Sequence, residues 1–171
     1  TRRAPAFFQG NRYLARSLVR RVLDVSPGDR VVDLYAGVGL FAVAFAARGA
    51  EVVAVESEAF AAADLMTNAK PWGARMLVVR STVEDVVGRL PASPPAVVVI
   101  DPPRTGVSPE ALAGLAAWRV PRLVYVSCDP PTLARDAARL IAGGYQLASL
   151  DGFDMFPNTP HVEAVAVFTR T

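Results

Sequence analysis

Short apolar runs rich in Val recur along this chain, and each is followed by a longer stretch with helical spacing. That alternation calls for βαβ units and a parallel sheet, because only a helical crossover returns the chain to the same edge in the same direction. Strands are predicted at about 30–35, 51–55, 76–80, 96–100 and 122–127. Helices are predicted at about 10–24, 58–70, 83–89, 108–117 and 131–143, with a further one running from a glycine turn at 36–39 to about 48. The end of the chain reads as two strands, 146–151 and 162–169, joined by a loop rich in Pro, Asn and Asp. The expected architecture is α/β: a Rossmann-like, doubly wound sheet of seven strands, mostly parallel, with an antiparallel edge strand. No repeat or low-complexity linker interrupts it, and Pro91 to Pro95 reads as a surface loop before a buried strand. Residues 1–171 are therefore expected to form a single domain.

Composition narrows the function. Apolar residues make up 52% of the chain, which suits a packed core and excludes wholesale disorder. No apolar run reaches the length of a membrane span, and the start shows no signal peptide, so no membrane role is expected. One Cys and one His exclude an internal disulfide and a Cys- or His-rich metal cluster, and point to a reducing, cytoplasmic setting. With no initiator Met, the chain is expected to be a piece of a longer or processed protein. The first thirty residues hold seven Arg against two acids. Such an arm can meet phosphates or simply form the wet face of an amphipathic helix.

Four strand ends carry chemistry-bearing residues. The first reads Val31-Val32-Asp33-Leu34-Tyr35-Ala36-Gly37-Val38-Gly39-Leu40-Phe41, where glycines let a ligand approach the backbone. Glu56 ends the next strand, at the spacing expected of a carboxylate that binds ribose hydroxyls. A dinucleotide site would want a third glycine; an Asp-x-x-x-Gly-x-Gly turn suits a class I methyltransferase better. Asp101 follows the buried fourth strand, held by Pro102 and Pro103, and either faces the crevice or caps the helix near 108. The next residue, Arg104, stands where amino-methyltransferases carry an aromatic ring, which argues against that chemistry.

Cys128 ends the fifth strand just before a helix that Asp129 can cap and Pro130 and Pro131 can open. A helix amino terminus favours the thiolate. Glu163 enters the otherwise apolar last strand, where a carboxylate is costly unless paired or used, or else faces solvent at an edge. His161 reads as a loop residue, and Gln9 and Asn11 precede the first helix, where an amide suits a ligand contact or a cap.

Taken together, five stretches resemble the RNA uridine-5-methyltransferase family, which acts on tRNA and ribosomal RNA. They are F-F-Q-x-N at 7–11, D-L-Y-A-G-V-G at 33–39, D-P-P-R-T-G at 101–106, V-Y-V-S-C-D-P-P-T-L-A-R-D at 124–136 and D-M-F-P-N-T-P-H-V-E at 154–163. The resemblance implies a class I S-adenosylmethionine-dependent catalytic domain acting on RNA. It implies Cys128 as nucleophile, Glu163 as the base for the carbon-5 proton, and Asp101 at the uracil edge. It implies that Gln9, Tyr35, Gly37, Leu40, Glu56, Thr82 and Asp101 line the S-adenosylmethionine site. Two positions depart from the family: Thr82 stands where Asp or Asn is frequent, and Ala36 where Cys is frequent. The amino-terminal RNA-binding domains and the iron–sulfur cluster of some members have no counterpart in this segment, and no metal is expected. An RNA cytosine-5-methyltransferase is the nearest enzymatic alternative, but it would show a Pro-Cys motif where Asp101-Pro102-Pro103-Arg104 stands. An RNA-binding module that has kept the fold is the non-catalytic one.

Overall fold

The computed structural model describes residues 12–89, 91, 93–154 and 162–170, with the side chains of 12 and 13 outside the description. The elements alternate as the apolar runs require: α1 Arg12–Asp24, β1 Arg30–Leu34, α2 Leu40–Ala47, β2 Glu51–Glu56, α3 Ala59–Ala69, β3 Met76–Arg80, α4 Val83–Val87, β4 Val97–Ile100, α5 Pro109–Trp118, β5 Arg122–Ser127, α6 Pro130–Ala142, β6 Gln146–Phe153 and β7 Glu163–Thr169. A 3₁₀ segment, Lys70–Arg75, joins α3 to β3 and has no counterpart in the predicted elements.

The seven strands form one sheet in the order β3-β2-β1-β4-β5-β7-β6. β3, β2, β1, β4 and β5 are parallel, while β7 runs antiparallel to both β5 and β6. The reversed strand is thus one place in from the edge, and β6 lies outside it. Strand order changes direction between β1 and β4, so the ligand crevice of such a sheet opens beyond their carboxyl ends.

Each face of the sheet has its own core. Val31, Val52, Ala54, Val97, Val99, Val124, Val126 and Val165 pack beneath α1, α2 and α3, with Leu18, Val22, Phe41, Phe45 and Leu65. The alternate residues, Val32, Leu34, Val98, Ile100, Leu123, Tyr125 and Phe168, pack beneath α4, α5 and α6, with Val87, Leu112, Leu115, Leu133 and Leu140. β4 is fully buried on both faces, which is why its four residues are all Val or Ile. Burying each such side chain is worth about 1.5–3 kcal/mol. Arg21 of α1 bonds Asp151 of β6 at 2.7 Å, tying the first helix to the edge strand. No described helix is long and apolar enough to cross a membrane.

Candidate active site

The two-residue period of a strand decides which side chains meet. Asp33 and Glu56 share parity with the core under α1–α3, and so does Glu163 through Val165. Asp101 and Cys128 follow β4 and β5 in the same phase as Val99 and Val126. All five chemistry-bearing residues thus gather on one face, at the end of the sheet where the crevice opens. The β5–β7 ladder pairs Ser127 with Ala164, so one further step sets Cys128 opposite Glu163.

The first turn is built from unusual backbone. Tyr35 has φ 60, rare for an aromatic residue, and Gly37 has φ 55. A Cβ on Gly37 would meet nothing within 4 Å, so that glycine leaves open space beside the backbone. Gly39 is different: a Cβ there would lie 2.7 Å from Leu65, so its role is close packing against α3. Glu56 ties the turn to β2. Its Oε2 accepts from the Gly37 N–H at 2.8 Å and its Oε1 from the Glu58 N–H at 2.7 Å. Leu40 opens α2, half-buried. Thr82 lies two residues past β3, exposed, and its Oγ1 accepts from Asp85 as the cap of α4. Gln9, Asn11 and His161 lie outside the described residues.

Asp33 is fully buried. Its Oδ2 accepts from the Ala42 N–H at 2.8 Å, and its Oδ1 has no hydrogen-bond partner. Burial pushes its carboxyl up to about 7, against the pull of the Ala42 bond and with a contribution from the negative charge of Glu56. Asp101 is half-buried, and its backbone N–H donates to Leu34 at 3.3 Å. It does not cap α5; Ser108 does, accepting from Ala111. Burial, then the charges of Glu163 and Asp33, hold the Asp101 carboxyl well above the usual range. Glu163 is buried in β7, with 1% of its surface exposed. The edge-strand, solvent-facing alternative is therefore wrong.

Cys128 is half-buried. Asp129 caps α6 as expected, with Oδ2 accepting from Thr132 at 3.2 Å. The expected lowering of the thiol by that helix end is outweighed. Burial pushes the Cys128 thiol up, the charge of Glu163 pushes further, and Asp101 adds to both. Arg104 opposes them, with a hydrogen bond to the sulfur and its positive charge. Sequence reasoning used Arg104 only to exclude another chemistry and missed this contact; loop geometry carries it, and no spacing signals it.

No group of three or more Cys, His, Asp or Glu among the described residues is set to hold a metal ion. A cavity of about 470 Å³, lined by Leu23, Ser26, Phe45 and Arg48 among others, lies at the opposite end of the sheet, beside the starts of β1 and β2, away from Cys128.

A cofactor with a ribose and a cationic sulfur fits this turn: open space at Gly37, a carboxylate at the end of β2, and the unpartnered buried Oδ1 of Asp33. The crystal structure of a Pyrococcus abyssi tRNA (uracil-54, C5)-methyltransferase, in complex with S-adenosyl-L-homocysteine, superposes with a TM-score of 0.86 at 34% identity, over 96% of this chain and 40% of that one. More distant S-adenosylmethionine-binding proteins share the fold alone, such as a Synechocystis magnesium protoporphyrin IX methyltransferase at 14% identity and a TM-score of 0.69. The fold is therefore that of the class I S-adenosylmethionine-dependent methyltransferases.

Sequence comparison is more specific. A family model described as tRNA (Uracil-5-)-methyltransferase matches residues 92–171, and one described as Conserved hypothetical protein 95 matches residues 18–131. A Pyrococcus horikoshii tRNA (uracil(54)-C(5))-methyltransferase is 38% identical over 94% of this chain. An Alkalilimnicola ehrlichii 23S rRNA (uracil(1939)-C(5))-methyltransferase is 40% identical over 96% of it. The chain belongs to the RNA uridine-5-methyltransferase family. It spans about two fifths of the length of these curated relatives, 38% in each case.

Proposed function

We propose that this chain is the catalytic domain of an RNA uracil-5-methyltransferase, residues 1–171 forming one unit that methylates carbon 5 of a uridine in tRNA or ribosomal RNA. The observation that carries the reading is the meeting of Cys128 and Glu163 across the β5–β7 ladder, beside Asp101. S-adenosylmethionine would supply the methyl group from its sulfonium. Gln9, Tyr35, Gly37, Leu40, Glu56, Thr82 and Asp101 are its proposed contacts. Cys128 adds as thiolate to carbon 6 of the uracil, which makes carbon 5 nucleophilic enough to accept a methyl. Glu163 then removes the carbon-5 proton, and the electron pair left behind restores the carbon-5–carbon-6 double bond as the Cys128–carbon-6 bond breaks to release the thiolate. Asp101 holds the polar edge of the uracil. Reaching a half-buried sulfur requires the target base to leave its stack. A single unpaired cysteine used in this way suits a reducing, cytoplasmic compartment.

The test uses labelled S-adenosylmethionine and total RNA, followed by nucleoside mapping. Cys128→Ala is expected to abolish transfer and keep cofactor binding, whereas Glu163→Gln is expected to accumulate a covalent RNA adduct on a denaturing gel. Normal turnover by Cys128→Ala would remove the covalent mechanism. Label appearing on cytidine would transfer the assignment to a cytosine enzyme.

A further inference from the structure

Helix α6 begins two residues after Cys128, and its first two turns grip the loop that carries Arg104. Thr132 Oγ1 donates to the Arg104 carbonyl at 3.1 Å, and Arg135 Nη2 donates to the Thr105 carbonyl at 2.8 Å. Asp136, fully buried, accepts on Oδ2 from the Val107 N–H at 2.9 Å and from the Tyr125 hydroxyl of β5 at 2.8 Å. Its Oδ1 accepts from Arg135 Nε at 2.9 Å. The loop closes on itself through the Gly106 N–H donating to the Pro103 carbonyl at 2.8 Å. Gly106 has φ +80, and a Cβ there would lie 2.4 Å from Thr132, Arg135 and Asp136 atoms alike. Loop backbone and helix side chains are in direct contact with no slack between them.

Such rigidity is unneeded to close a surface turn, and it has one consequence for the site. Arg104 is exposed and flexible by nature, so its guanidinium reaches the sulfur of Cys128 only if its backbone is fixed. We propose that Thr132, Arg135 and Asp136 form a positioning clamp on α6 that sets Arg104 against the sulfur of Cys128. The same helix thereby fixes both partners: the thiol just ahead of its first turn, the cation through side chains of its first two turns. The groups acting on the sulfur are Glu163 from β7 and Asp101 after β4, both carboxylates, and Arg104, the cation that offsets them. Slackening the loop leaves the thiol facing the two acids. This rests on Cys128 being the reacting group only for its catalytic consequence; the contact is testable without methyl transfer.

Cys128 is the chain's one cysteine, so iodoacetamide reports on it alone. Alkylation rates are measured from pH 6 to 10 for the protein, for Arg104→Gln, for Thr132→Val and Arg135→Met, and for each clamp change combined with Arg104→Gln. Both clamp variants keep Asp136 and its two buried Oδ2 bonds, from Val107 and Tyr125; Thr132→Val also keeps the Arg135–Asp136 bond that Arg135→Met gives up, so it is the milder test of the fold. Arg104→Gln is expected to slow alkylation near neutral pH roughly threefold to tenfold, the effect of raising the thiol pKa by half a unit to one unit. Each clamp variant is expected to slow it comparably, and to add nothing once Arg104 is gone. A merely structural role gives the opposite sign, because a loosened fold exposes the sulfur and speeds alkylation. Wild-type profiles in both clamp variants, or effects that multiply with Arg104→Gln, would overturn the proposal. If the alkylation pattern holds while no RNA is methylated, the proposed function fails and the clamp stands.

Discussion

Replacing Asp33 with Asn is expected to remove the pH dependence that this residue imposes on stability. Asp33 has no exposed surface, and its carboxyl rises from an ordinary 3.8 to about 7. Between those values the folded chain holds a proton that the unfolded chain releases, so stability falls as pH rises. Three units at 1.36 kcal/mol each make the loss about 4 kcal/mol between pH 4 and pH 8. In Asp33→Asn the amide oxygen still accepts from Ala42, but the NH₂ replaces an oxygen that has no partner. That unpaired buried donor costs about 1–3 kcal/mol at every pH. The variant is therefore expected to be less stable than the parent near pH 4, and more stable by about 1–3 kcal/mol near pH 8, with the curves crossing between about pH 5 and 6. Urea unfolding without cofactor, over that range, reads the difference directly. Subtraction cancels the carboxylates common to both, and relief of Asp101 from the charge of Asp33 acts in the same direction. Parallel curves would refute the reasoning, because they would mean that Asp33 titrates as an ordinary carboxylate.

Two further outcomes follow from single contacts. Gly106→Ala forces a side chain into positive φ and into the buried bonds of Asp136, so a loss of about 3 kcal/mol in urea is expected; an unchanged midpoint would show that helix and loop part freely. Glu56→Gln keeps one acceptor for the Gly37 and Glu58 amides but loses the charge, so affinity for S-adenosyl-L-homocysteine by calorimetry is expected to fall about tenfold, or 1.4 kcal/mol. Equal affinity would remove Glu56 from the cofactor contacts.

Much of the fold was legible because burial on two faces leaves a strong mark. β4 could be read from Val97–Ile100 alone, and β5 from its central Leu123 to Val126, since strand segments buried on both faces favour apolar residues. The place of β7 was not legible. A reversed strand at the end of the chain is equally consistent with an edge or with insertion between β5 and β6, and only the ladder decides. Its apolar run, buried from Glu163 to Phe168 against the mostly exposed β6, shows afterwards why it takes the inner position. In the site, Asp101, Cys128 and Glu163 were readable as strand-end residues, because strand ends define the crevice. The grip of Asp136 on Val107 and Tyr125 was not, since it joins residues 29 and 11 apart through a loop whose path no periodicity encodes.

The thiol shows where local rules give way to assembled charge. A cysteine before a capped helix is read as activated, a few tenths to 1 kcal/mol in favour of the thiolate. Burial and two neighbouring carboxylates act against it here, and the net direction is upward. Asp33 of β1, Asp101 after β4 and Glu163 of β7 face the same crevice, with Cys128 after the intervening β5 among them, and Asp101 is raised by both of the other acids. Such a cluster of like charges repels itself, and a cation entering the crevice relieves that repulsion. On the function proposed above, the incoming sulfonium is such a cation, so occupancy would ease ionisation of the acids and of Cys128 alike. On that same function, the Cys128 thiol, raised by burial and by the two acids, would ionise more readily once the methyl donor is bound and with Arg104 held in place.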